Sequence, residues 1–259
     1  MPRRPRIHLP EVPLHIVQRG HNWDACFFCD EDYGAYLTWL ADGLRNTGCQ
    51  LHAYVLMINH VHLLLTPPAQ VESVPRLLIM LGRRYVQYIN KAYRRTGTLW
   101  DSRYKSSSIQ TEAYLLSCQR YIELNPVRAG IMDDPAHYRW SSYRANALGA
   151  GDPVASLSQP LITPHPLYLS LGVDAESRQA AYRALFRSEL DREAISQIRL
   201  ALNQSQPLGD SRFLDRIEQM VGVRREARPR GRPRKLTGAV EQDHPRSQSQ
   251  SQRQALVTF

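Results

Sequence analysis

The stretch LHAYVLMINHVHLLLT, residues 51–66, decides how the chain is read. Two runs rich in valine and leucine are separated only by Ile58 and Asn59, which suits two strands joined in a tight hairpin, although Asn-His lacks the glycine such turns prefer. A strand's period of two puts His60, His62 and Leu64 on one face and Val61, Leu63 and Leu65 on the other. Two imidazoles therefore point the same way. They are either polar or hydrogen-bonded residues of an ordinary strand, or two ligands of a metal site that needs a third.

Outward from the hairpin the elements alternate. HIVQRG (15–20) reads as a strand closed by glycine, and residues 30–48 read as a helix with Asp30 as N-cap and Gly48 as its stop. From Val71 to Arg95 the spacing predicts a long helix, with Val74, Leu77, Leu78, Leu81, Tyr85 and Tyr88 as an apolar stripe. Arg76, Arg83, Gln87, Lys91 and Arg94 form its basic face, which is either solvated or tracks phosphates. TLWDSRYKSSSI (98–109) predicts another strand carrying Arg103 and Lys105, and residues 111–125 a helix opened by Thr111 and ended before Pro126. Strand, helix, two strands, helix, strand, helix is the order of an α+β layer. The expectation is a ferredoxin-like antiparallel sheet with helices on one side.

Composition narrows the class. The chain has 259 residues, 42% hydrophobic and 22% charged, with a formal net charge of +9. That balance favours polyanion partners, nucleic acid before membrane. No apolar run approaches a membrane helix, and MPRRPRIHLPEV lacks the apolar stretch of a signal peptide, so a cytoplasmic protein associated with the nucleoid is expected. Cys26, Cys29, Cys49 and Cys118 include a single C-x-x-C without a second pair, which reads as reduced thiols rather than structural zinc.

A second constellation lies in RYIELNPVRAG (120–130), where Tyr121 and Asn125 are four apart and share a helix face. With His60 and His62 as nitrogen ligands and Asn125 as an oxygen ligand, a divalent metal, Mg²⁺ or Mn²⁺, would sit beside Tyr121 as nucleophile. Periodicity alone does not select this tyrosine among the 13. Tyr85 and Tyr88 read as core, while Tyr104 could stack on a base.

Taken together, MINHVHLLLTP (57–67), GTLWDSRYKSS (97–107), RYIELNPVRAGI (120–131) and WSSYRA (140–145) resemble the REP-associated tyrosine transposases, single-tyrosine enzymes of the HUH endonuclease superfamily. The resemblance spans roughly residues 3–148. It implies a ferredoxin-like domain that cuts and rejoins single-stranded DNA at repetitive extragenic palindromes, leaving a 5′-phosphotyrosine and a free 3′-OH. It also implies His60 and His62 as the metal-binding pair, Tyr121 as nucleophile and Asn125 as the amide completing the metal site. Ile58 stands where that family usually has proline, and His21 where asparagine is common.

Folded single strands would be held by arginines and stacked aromatics, with Arg19, Arg83, Arg103, Lys105 and Arg128 as candidates. Beyond residue 150 the helical spacing of 175–190, 191–202 and 210–222 predicts a small accessory region, 151–222, either a packing unit or a helix-turn-helix. Residues 223–259 are rich in Arg, Pro, Ser and Gln and read as a disordered basic tail. Within it RPRGRPRK (228–235) resembles an AT-hook, with Arg230 and Arg232 as minor-groove candidates, or is a nonspecific polybasic segment. A monomer is the expected state. The rival functions are a noncatalytic DNA- or RNA-binding regulator on the same sheet, and a phosphodiesterase that uses water as nucleophile.

Overall fold

The computed structural model describes residues 6–70, 72–155, 157–222 and 224–225. Its first elements are β1 (Leu14–Arg19), α1 (Asp30–Thr47), β2 (Gln50–Met57), β3 (His60–Thr66), α2 (Ser73–Ala92), β4 (Lys105–Ser108) and α3 (Thr111–Glu123). The strands form one antiparallel sheet in the order β2-β3-β1-β4, the ferredoxin-like arrangement expected from the element order. Met57 pairs with His60 across the hairpin, and neither Ile58 nor Asn59 has positive φ. That turn therefore needs no glycine.

The pairing of β1 with β3 sets Val17 opposite His62, His15 opposite Leu64 and Arg19 opposite His60. These odd-numbered β1 residues share the sheet face of the two histidines. On the other face Leu14, Ile16, Val61, Leu63 and Leu65 join one core with α1 and α2, which pack against each other. The third helix, α3, lies against β2 and β3 on the histidine face and brings Tyr121 there, so helices cover both faces of the sheet and not one side as expected.

Local chemistry shifts several expected boundaries. Cys29, not Asp30, caps α1: the Asp32 carboxylate reaches back to accept from the N–H groups of Phe28 (2.8 Å) and Cys29 (3.3 Å), leaving Asp30 as the first helical residue. Gly48 stops the helix as expected, with φ of 71°. On α2 the buried stripe closes with Ile89, while Tyr88 is half-buried. The predicted strand over 98–109 shrinks to β4. Gly20 still bridges to Trp100 and the Asp101 N–H still donates to the Arg19 carbonyl (2.9 Å), but residues 101–104 bend away between those two footholds. Arg103 consequently stands outside the strand, and Tyr104 is half-buried under Arg6, whose guanidinium is 4.0 Å from the ring centre.

Pro126 does more than end a helix. After Glu123 the chain turns at Leu124 and starts α4 (Asn125–Arg128), with the proline in its first turn, where no N–H is needed. Asn125 is therefore the first residue of a second helix rather than the last of the first.

The remaining elements are α5 (Tyr143–Leu148), α6 (Pro166–Leu169), α7 (Ala175–Leu185), α8 (Arg192–Gln204) and α9 (Ser211–Val221). The helices α6 to α9 belong to the same compact unit as the sheet, so no packing boundary falls near residue 150. The Leu208 N–H donates to the Ser108 carbonyl (2.8 Å) along the outer edge of β4. On the outer edge of β2, the Thr163 N–H donates to Leu51 (2.7 Å) and the Ser142 N–H to Tyr54 (3.0 Å). Both sheet edges are thus occupied by the chain's own C-terminal half. Meanwhile α8 packs on β4, and α9 packs on the N-terminal arm through Ile7, Leu9, Phe213 and Ile217. Arg230, Arg232 and the AT-hook-like segment lie outside the described residues.

Candidate active site

On the histidine face three imidazoles and one phenol come together. His62 is 5% exposed and its Nδ1 lies 2.8 Å from Nε2 of the fully buried His15. The rings of His60 and His62 are 5.1 Å apart between centres, and His60 Nδ1 is 2.7 Å from the Asn59 amide oxygen. Tyr121, itself 5% exposed, places its ring 5.7 Å from His15 and 6.0 Å from His62, centre to centre.

Each ring nitrogen that is occupied leaves the other one to the site. When His62 donates its Nδ1 hydrogen to His15 Nε2, its Nε2 carries the lone pair, which is how a second partner fixes the tautomer of a metal-binding histidine. Asn125 donates its amide hydrogens to the carbonyls of Tyr121 (3.0 Å) and Ile122 (3.1 Å), which orients its oxygen away from the helix. The two imidazoles and the amide oxygen are all neutral donors.

Two guanidinium groups flank them. The Arg128 guanidinium carbon lies 3.9 Å from the centre of the Tyr121 ring, and its Nε and Nη1 are buried without hydrogen-bond partners. Arg19 lies 3.5 Å from the Trp23 ring centre, with Nε likewise unpartnered. Burial pulls both arginines below their usual range, and the Tyr121 phenol opposes that at each. Buried guanidinium donors without protein acceptors suit an anionic ligand.

Burial and the neighbouring cations also suppress protonation of the imidazoles. Burial first, then Arg128, lowers His15 to about 3; burial, Arg19 and Arg128 lower His60 to about 4; His62 is held well below its ordinary value by burial, then by His15 and His60, then by the two arginines. In an NMR titration of the metal-free protein, the ring protons of these three histidines are expected to stay flat from pH 8 to pH 5. An inflection near pH 6.5 in any of them would contradict this geometry.

Among the described residues no three His, Cys, Asp or Glu side chains are grouped to hold a metal, so the donor set rests on the amide. With no carboxylate and two nearby guanidiniums, it fits a divalent cation that arrives with an anionic ligand. The four cysteines are free thiols, and no helix among the described residues is long and apolar enough to cross a membrane.

Of the basic candidates, Arg19 and Arg128 reach the site. Arg83 is exposed on α2, the helix paired with α1; Arg103 is exposed in the bend before β4; and Lys105 donates to Asn203 Oδ1 (3.1 Å) in the accessory region. Residue-by-residue reading missed His15, although its place in HIVQRG matches the parity of the histidine face once β1 is paired with β3. Glu123 was missed too. Fully buried two residues beyond Tyr121, it accepts from Ser142 Oγ (2.6 Å), Asn146 Nδ2 (2.9 Å) and the Tyr182 hydroxyl (2.8 Å), tying α3 to α5 and α7.

Comparison with known proteins gives three findings. Residues 10–125 match the family model described as "Transposase IS200 like". A solved structure of a REP-associated tyrosine transposase bound to a REP hairpin is similar at a TM-score of 0.50 and 16% identity, covering 64% of this chain and 100% of that one. A candidate transposase from Deinococcus radiodurans R1 is 23% identical with a TM-score of 0.34, covering 47% of this chain and 96% of that one. No curated protein matches the chain significantly.

Proposed function

We propose, from the match of residues 10–125 to the IS200-like transposase family model, that the protein is a metal-dependent single-stranded DNA endonuclease and strand transferase whose nucleophile is Tyr121. The observation that carries this reading is the seat of Tyr121. It is a nearly buried phenol against an imidazole pair, under a guanidinium with unpartnered donors. Core tyrosines need no such surroundings.

In the proposed reaction the Tyr121 oxygen bonds to the phosphorus of one phosphodiester, and the bond from phosphorus to the 3′-oxygen breaks. The phenol proton passes to water, and the leaving oxygen takes a proton to become a free 3′-OH. The DNA 5′-phosphate stays on the enzyme. Because that phosphodiester keeps the bond energy, attack by an incoming 3′-OH reverses the step and rejoins strands without ATP. Arg19 and Arg128 would hold the phosphate's non-bridging oxygens and offset negative charge on the phenol oxygen as its proton leaves. His60, His62 and the Asn125 oxygen would hold Mg²⁺ or Mn²⁺, which when bound polarises the phosphoryl oxygen and orients the group for in-line displacement.

The substrate form we propose is a folded single strand of the repetitive-palindrome kind. The structurally similar transposase was solved with such a hairpin, and the net charge of +9 suits a polyanion. The test is incubation with end-labelled hairpin oligonucleotides from the flanking genome plus Mn²⁺ or Mg²⁺, followed by denaturing electrophoresis. A protein–DNA band that survives denaturation and is lost with chelator is expected. Cleavage with no adduct would instead make water the nucleophile, and tight binding without cleavage would favour a noncatalytic DNA-binding protein.

A further inference from the structure

We propose that Trp23 is a stacking platform for one unpaired nucleobase of the DNA strand being cut, an inference that rests on the reading of Tyr121 as its nucleophile. Trp23 is 63% exposed, the most exposed aromatic ring among the described residues. It is not a loosely hung side chain. Asn22 (φ 51°) and Trp23 (φ 66°) are successive non-glycine residues in the left-handed region, a conformation that persists only where the surroundings impose it.

Those surroundings are the active-site hairpin. The Gly20 N–H donates to the Asn59 carbonyl (2.8 Å), the Cys26 N–H to the Ile58 carbonyl (2.8 Å), and the Asn59 side-chain amide to the Trp23 carbonyl (3.1 Å). Asn59 meanwhile contacts His60 through its amide oxygen (2.7 Å), so one side chain links the indole-bearing turn to a proposed metal ligand. Gly20 allows the tight turn, since a Cβ there would fall 2.2 Å from the Asp24 carbonyl oxygen.

Arg19 shows which chemistry the indole serves. It sits opposite His60 on the catalytic sheet face, and its guanidinium lies 3.5 Å from the indole centre. One face of the ring is thus taken by a cation, and the exposure of the residue leaves the other to solvent. A base stacked on the open face would put its own phosphate within reach of Arg19, beside the phosphate that Tyr121 attacks. An apolar side chain held rigid and uncovered next to an arginine with an unpartnered donor suits a nucleotide, which has a π-face and an anion in fixed relation.

The test uses full-length protein carrying Tyr121→Phe, so that binding is read without cleavage. Fluorescence anisotropy with hairpins bearing single-stranded flanks, in Mg²⁺, gives the affinity of that protein and of the same protein with Trp23→Ala or Trp23→Phe. Trp23→Ala is expected to weaken binding about tenfold, with Trp23→Phe within about threefold of the parent, as loss and retention of one stacked base predict. In a scan of abasic substitutions along the flank, one position should weaken binding to the Trp23 protein and have no further effect on Trp23→Ala. Equal affinity of Trp23→Ala and its parent, or an abasic scan that is identical in both, overturns the platform while leaving the nuclease reading intact. No hairpin binding by the Tyr121→Phe protein overturns both.

Discussion

Replacing Tyr121 with phenylalanine is expected to abolish the covalent protein–DNA adduct and to lower strand cleavage by at least about a thousandfold, while hairpin binding stays within about threefold. The size follows from removing the proposed nucleophile: what remains is phosphate binding and any metal-activated water, which position the phosphodiester but supply no enzyme oxygen to attack it. The substitution deletes one oxygen from a ring whose contacts with His15, His62 and Arg128 are made by its faces and edge, so the fold should hold. Quantifying the adduct on denaturing gels alongside affinity by anisotropy separates the two effects. An adduct undiminished in Tyr121→Phe would transfer the reaction to another residue. If cleavage persisted at the parental rate without adduct, water would be the nucleophile and Tyr121 a packing residue.

The second large effect concerns stability. Glu123→Ala is expected to lose about 3–5 kcal/mol, because three buried donors from Ser142, Asn146 and Tyr182 would keep their desolvation cost and lose their acceptor, and because a cavity is left behind. For a chain of this size that corresponds to a fall in Tm of about 10 °C by calorimetry. The same carboxyl makes stability depend on pH. Burial pushes it up to about 7, with the three hydrogen bonds opposing, against an ordinary value of 4.5. Between those values the folded state holds the proton more tightly than the unfolded chain. The contribution is therefore fully present below about pH 4.5 and fades as pH rises to about 7, a loss of about 3 kcal/mol.

The buried histidines act in the opposite sense. Their folded values are depressed, so stability falls as pH drops below 6.5, toward about 4 for His60 and about 3 for His15. Glu123→Gln isolates the carboxyl, since subtracting the variant's urea midpoints from those of the parent cancels the histidines. The difference should decline from pH 4.5 to 7 and then level. A flat difference would mean that the carboxyl keeps its ordinary value inside the fold.

The sequence carries the elements of this site more clearly than their assembly. A two-residue gap between apolar runs made the hairpin legible, and parity along β3 made the histidine pair legible, because both depend only on neighbours in the chain. The spacing of Tyr121 and Asn125 survived even though α3 ends before Asn125, since Pro126 opens a new turn that continues around the same corner. His15 required knowing that β1 pairs with β3, a register set between strands 47 residues apart. The basic residues divide for the same reason: Arg128 and Arg83 look alike locally, and only the packing of α4 turns one toward the phenol. Cys29 takes the cap position because the Asp32 carboxylate reaches back to the N–H groups of Phe28 and Cys29, which starts the helix at Asp30.

The covering of both sheet edges by residues 142–208 bears on how such a chain can be cut down or recombined. A chain trimmed to its family-matched part, residues 10–125, would lay bare the outer rims of β2 and β4, each a row of unpaired amide and carbonyl groups able to template a strand from another copy. In evolutionary terms the C-terminal half is then no detachable module that can be lost or exchanged at will. Residues 142–208 occupy the hydrogen-bonding rims of β2 and β4, so a lineage discarding them would have to supply a substitute for each rim.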